Sequence, residues 1–170
     1  MKSLFLSLCV AVFFLNGQIA QAENDDDLDM THCVAPSKEQ EEFEPSLCPF
    51  KLPDVKKIEI TERIKESKDI YYNANDCSKF QKITKKQVLR FLNSANRVSH
   101  NDLHAKLPEV SPCRISGKIH FKDGTTGNWT LLQSINLGYL SSPQFPNLIN
   151  LYCPESCGFI PTYESHNNKQ

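Results

Sequence analysis

Apolar residues first fall into register with a helix at Val88, Phe91, Leu92 and Ala95, spaced i, i+3, i+4 and i+7, while Lys85, Lys86, Arg90 and Asn93 lie mostly on other faces. Thr84 stands three residues before Gln87, so hydroxyl and amide can each satisfy an orphan backbone N–H at the start of this helix. Ile83 and Val88 flank the cap at the spacing of a hydrophobic staple. The stripe fades at Ser99-His100-Asn101, which places the helix end near Val98.

The period then changes from 3.6 to two. Arg114 to Phe121 alternates polar and apolar residues, predicting a half-buried strand with Ile115, Gly117, Ile119 and Phe121 on the inward face. Asp123-Gly124-Thr125-Thr126-Gly127 tolerates a tight connection, and a second strand follows from Asn128 to Gln133, anchored by Trp129 and Leu131. Leu137 to Leu140 is a candidate third strand. Leu148 to Cys153 reads as a fourth, with Ile149, Leu151 and Cys153 on one face. Upstream, Val55 to Ile60 predicts an edge strand, and Ile70-Tyr71-Tyr72 a strand or extended loop. The fold class expected is α+β, with one main amphipathic helix packed on an antiparallel meander and disulfides holding it together.

Met1 to Ala22 has the form of a secretory signal peptide: Lys2, an apolar run from Leu4 to Leu15, then Ala20-Gln21-Ala22. The apolar run is short for a bilayer span, and no later stretch approaches the roughly 20 apolar residues a membrane helix needs. Removing 22 of the 170 residues leaves enough chain for one domain. It also leaves six cysteines, Cys33, Cys48, Cys77, Cys113, Cys153 and Cys157, because Cys9 lies within the signal. In an exported chain that even number implies a disulfide framework, with pairing left open by the sequence.

Charge divides what remains into an arm, 23–48, and a domain, 49–170. The arm carries nine acids against Lys38 alone, and the domain seventeen Lys and Arg against eleven acids. Such an arm is expected to be solvated and partly disordered. Two other readings are that it folds back over a basic face and competes with an acidic partner, or that a Cys33–Cys48 bond closes it into a loop.

Candidate chemistry is sparse. Cys153-Pro154-Glu155-Ser156-Cys157 resembles a dithiol redox site, but its spacing is one residue longer than CxxC and it follows a strand, which favours a structural role. His100 and His104 stand at i, i+4 around Asp102; a shared zinc needs a third ligand, the HExxH glutamate is missing, and a polar loop past the helix is the plainer reading. His120 and Asp123 with Ser134 or Ser141 lack the elbow or ordered context of a hydrolase triad. No glycine loop for phosphate is present, and the basic residues have no interleaved aromatics, so neither nucleotide nor nucleic acid is expected. No cofactor is implied. Asn128-Trp129-Thr130 is an N-glycosylation sequon at a turn. Trp129, the single tryptophan, reads as a sheet anchor or, if exposed, as a partner-binding residue.

Cys77-x-x-Phe80, Ile83-Thr84-x-x-Gln87-Val88, Ser111-Pro112-Cys113, Gly117-x-Ile119-x-Phe121-x-Asp123-Gly124, Gly127-x-Trp129 and Leu151-Tyr152-Cys153-x-x-x-Cys157 together resemble a group of small bacterial exported proteins. The resemblance covers roughly residues 70 to 157, implies a periplasmic or outer-surface location, and brings no catalytic residues to carry over. The expected function is a non-catalytic periplasmic or secreted binding protein of inhibitor or immunity type, with a protein partner and no membrane once the signal is cleaved. The alternative is a thiol-disulfide or metal-dependent enzyme using Cys153 and Cys157 or His100 and His104.

Overall fold

The computed structural model describes residues 29–63, 77, 80–107, 113–132 and 136–154. The expected signal peptide Met1 to Ala22, Ile70-Tyr71-Tyr72, Ser134 and Cys157 lie outside them. The fold is mixed α+β and mostly sheet: six antiparallel strands, two helices and two disulfides among the described residues. In chain order the elements are β1 (Val55–Arg63), α1 (Lys85–Ser94), β2 (Asn96–Arg97), α2 (His100–Lys106), β3 (Arg114–Phe121), β4 (Thr126–Leu132), β5 (Leu137–Ser141) and β6 (Ile149–Tyr152). The order across the sheet is β1-β3-β4-β5-β6-β2, so the last four long strands form the expected meander and β1 lies at one edge.

The period-two stretch becomes β3 with the predicted residues buried: Ile115, Gly117, Ile119 and Phe121 point inward while Arg114 and Lys118 are exposed. Across the meander the register sets Ile115 beside Leu131, Leu131 beside Gly138, and Gly138 beside Leu151. Ile115, Leu131 and Leu151 share one buried cluster with Val88, Phe91 and Leu92 of α1. Gly138 is open for a reason visible in that cluster: a Cβ there would lie 2.7 Å from Phe91 Cε1. β1 departs from regular pairing twice, between Val55 and Lys57 and between Ile60 and Glu62, and only Ile58 along it is fully buried. Bulges and charged residues of this kind discourage edge-to-edge pairing with other chains.

Thr84 caps α1 as the sequence predicts. Its hydroxyl accepts from the Gln87 N–H, and the Gln87 carboxamide oxygen accepts from the Thr84 N–H at 3.0 Å. The helix ends four residues earlier than Val98, at Ser94, because the backbone beyond it finds partners elsewhere. Arg97 exchanges backbone hydrogen bonds with Cys48, and the Val98 N–H reaches the Asn150 carbonyl at 3.0 Å. Ala95 and Val98 remain buried, so the apolar stripe keeps its packing after the helix has stopped.

The expected polar loop around His100 is instead α2. Ser99 caps it by accepting from the Asp102 N–H at 3.0 Å. Leu103 and Leu107 then cover Leu132 and Leu137, with Tyr139 and Tyr152 alongside. Leu132, Leu137 and Tyr152 are in register with one another and alternate with the first core's residues, so this second cluster lies on the other face of the sheet. The sheet is covered by α1 side chains on one face and capped by α2 at one end of the other.

Candidate binding surface

The described cysteines are committed to bonds. Cys33 joins Cys48 and Cys77 joins Cys113, and Cys153 is also disulfide-bonded. Cys33–Cys48 closes the acidic arm into a loop, so residues 29–48 are not a free leader. At its base Val34 and Leu47 exchange backbone hydrogen bonds of 2.8 and 2.9 Å, and Cys48 pairs with Arg97 of β2. Asp102 Oδ2 accepts from the Ser46 N–H at 2.9 Å while Asp102 Oδ1 meets Lys106 Nζ at 3.0 Å, so α2 helps to seat the loop.

Turns shape its apex. The Gln40 N–H donates to the Ser37 carbonyl, and the Phe43 and Glu44 N–H groups both donate to the Gln40 carbonyl. The Gln40 side chain adds a bond to Glu44 Oε1 at 3.1 Å. This holds Phe43 outward at 67% exposure, and Val34 is 68% exposed near the stem. Glu39, Glu41, Glu42 and Glu44 surround the phenyl ring in sequence, and none forms an ion pair with a Lys or Arg among the described residues. The exposed aromatic was missed in the sequence because a lone Phe among acids reads as solvated chain; the signal was Cys33 and Cys48 bracketing it.

Trp129 is the anchor and not the exposed contact. It is 1% exposed, lies in the main cluster, and its Nε1–H donates to the Lys118 carbonyl at 3.1 Å. Its sequon neighbour Asn128 is exposed on the outer face of β4.

The other candidates are not assembled into sites. His100 and His104 do stack edge to face on α2, with ring centroids 4.2 Å apart, but no group of three His, Cys, Asp or Glu able to hold a metal occurs among the described residues. His120 Nδ1 meets Thr126 Oγ1 at 3.1 Å, and its Nε2 stands 3.5 Å from Glu59. Glu59 in turn is held below its ordinary pKa, first by the hydrogen bond and charge of Lys57 and then by His120. Asp123 is bonded to Thr125 and Gln144. Its Oδ1 accepts from the Thr125 N–H at 2.9 Å and hydroxyl at 2.8 Å, and its Oδ2 accepts from Gln144 Nε2 at 2.7 Å.

The Asp123 bonds close the β3–β4 turn and tie it to the loop after β5. They favour the carboxylate, the Thr125 backbone and side-chain bonds foremost, and so lower its pKa. A lowered pKa in the folded state gives stability that is complete above the ordinary carboxylate value and lost as pH falls through the folded one. The Thr125 amide resonance is accordingly expected to titrate with a midpoint below about 3.9, the ordinary Asp value, and Asp123→Asn should abolish that titration. A midpoint at or above the ordinary value contradicts the arrangement.

No helix among the described residues is long and apolar enough to cross a membrane. Set against protein-family models, curated proteins and solved structures, the chain matches none.

Proposed function

We propose that this chain is an exported, non-catalytic binding protein of inhibitor or immunity type, residing in the periplasm or secreted, whose disulfide-closed loop engages a basic protein partner. The observation that carries this reading is Phe43, a large apolar side chain held in solvent on a hydrogen-bonded apex among carboxylates that form no ion pair with the described residues. An exposed aromatic on a rigid support loses little conformational entropy on binding and is a typical energetic anchor of an interface. The acids around it favour a positively charged partner and quicken encounter at low salt.

Disulfides fit an oxidising compartment, and the signal-like Met1 to Ala22 supplies a route there. In this reading α1 on the meander is the scaffold and the loop is what it presents.

Tagged mature protein and its Phe43→Ser variant, each passed through a periplasmic extract of the source organism, test the proposal. The wild type is expected to retain one stoichiometric basic protein that elutes as salt is raised, and Phe43→Ser to lose it by roughly tenfold or more, the effect of removing an interface anchor. Equal retention by both proteins, or no retained protein, contradicts the reading.

A further inference from the structure

An open groove of about 440 Å3 lies on the outer face of the sheet between β4, β5 and the segment after β5. That volume is within the range of small-molecule sites, roughly 300–1,000 Å3. One wall is built from Thr126 and Asn128, alternate residues on the outward side of β4, and from Ser141, which faces Asn128 in the strand register. Ser142 and Asn147 extend it. Pro143, Pro146 and the 47%-exposed Leu148, on the same segment as Ser142 and Asn147, add apolar surface to the lining.

The wall that follows β5 is held in place before any ligand arrives. Gln144 donates from Nε2 to Asp123 and to Thr125 Oγ1 at 2.7 and 2.6 Å, and its backbone N–H donates to Ser142 Oγ at 3.3 Å. Phe145 packs on Phe50 with ring centroids 5.9 Å apart. Such preorganisation lowers the ordering cost of binding.

The side chains select the ligand's chemistry. No Asp, Glu, Lys, Arg or His is among the described residues lining the groove, so it offers no charge to an anion, a cation or a metal ion. A hydrocarbon would leave its hydroxyls and carboxamides without partners, at a desolvation cost. Hydroxyl and carboxamide groups both donate and accept, and here they line the groove together with proline and leucine side chains. A ligand with hydroxyl edges and C–H faces matches both kinds of lining. We infer that this groove binds a short uncharged saccharide. The inference does not depend on the acidic loop, which contributes no residue to the groove.

Titrating isotope-labelled mature protein with cellobiose, maltose and N,N′-diacetylchitobiose, followed by amide NMR, tests it, with glucose 1-phosphate as a charged comparison. At least one disaccharide is expected to give saturable shifts at the Asn128 and Asn147 side-chain amides and the backbone from Ser141 to Leu148. The combined Asn128→Ala and Ser141→Ala variant, at two outward-facing positions, should keep the wild-type thermal midpoint and bind roughly tenfold more weakly, as expected for losing neutral hydrogen bonds. Absence of saturable shifts with all three disaccharides overturns the inference. So does undiminished binding by the folded double variant, or stronger groove shifts with the phosphate.

Discussion

Trp129→Ala is expected to destabilise the domain by about 3–5 kcal/mol, the range for deleting a large aromatic from a packed core. Against a total stability of about 5–15 kcal/mol, such a loss takes the protein close to unfolding. The cause is double. The indole is buried in the main cluster, beside an inward Gly117 that leaves room for it, and its N–H is the partner of the Lys118 carbonyl. Trp129→Phe keeps part of the packing and loses that bond, so a smaller loss of about 1–3 kcal/mol is expected. Denaturant unfolding followed by circular dichroism measures both, since the variants lack the single tryptophan. A cost below about 1 kcal/mol for Trp129→Ala, within the ordinary spread of substitutions, contradicts its placement as the sheet's anchor.

Gly117→Ala is the second large effect, and it acts on β1. A Cβ at residue 117 would lie 1.8 Å from the Glu59 carbonyl oxygen and 2.7 Å from Trp129 Cζ2. The first obstacle is backbone, which cannot rotate away, so β1 must separate from β3 around Glu59. Overpacking costs about 1–3 kcal/mol where side chains give way, and more is expected here. Hydrogen exchange should report it: the β1 amides exchange faster in Gly117→Ala while those of β5 and β6 change little. Gly124 is the contrasting case, with open space around it and a φ of 94°, so Gly124→Ala should strain only the turn. Unchanged protection of β1 in Gly117→Ala contradicts the close approach of the two strands.

Much of this architecture was legible because local and tertiary preferences agree. The period-two pattern of Arg114 to Phe121, the Thr84 and Gln87 cap, and the turn at Asp123 and Gly124 each point to the structure that forms. Where they disagreed, packing prevailed. The stripe through Ala95 and Val98 reads as helix, yet the backbone there bonds to Cys48 and Asn150 in the sheet layer. Ser99-His100-Asn101-Asp102 is a capping sequence, but it sits in a polar stretch whose only large apolar residues are Leu103 and Leu107, too few to show a period. Their role appears only once Leu132 and Leu137 are brought opposite them on the second face.

The candidate surfaces were less legible for the same reason. Phe43 is solitary in the sequence and gains meaning from the Cys33–Cys48 closure and the Asp102 to Ser46 contact, which spans 56 residues. The groove draws on Thr126, Ser141 and Leu148, which no motif connects. Conversely, the described residues at spacings that looked chemical are engaged in structural contacts: Asp102 is spent on Ser46 and Lys106, and Asp123 on its turn and on Gln144.

In the proposed function the protein is a disulfide-locked scaffold that presents surfaces, whereas the alternative is a dithiol enzyme working through Cys153 and Cys157. Alkylation of the native mature protein, read by mass spectrometry before and after a mild glutathione treatment, tests it most directly. Structural bridges resist the glutathione pool, whereas catalytic ones exchange with it. No labelled cysteine in either sample is the predicted result. Label on Cys153 or Cys157, present at the outset or appearing after mild reduction, would contradict the scaffold account and return the enzyme reading to first place.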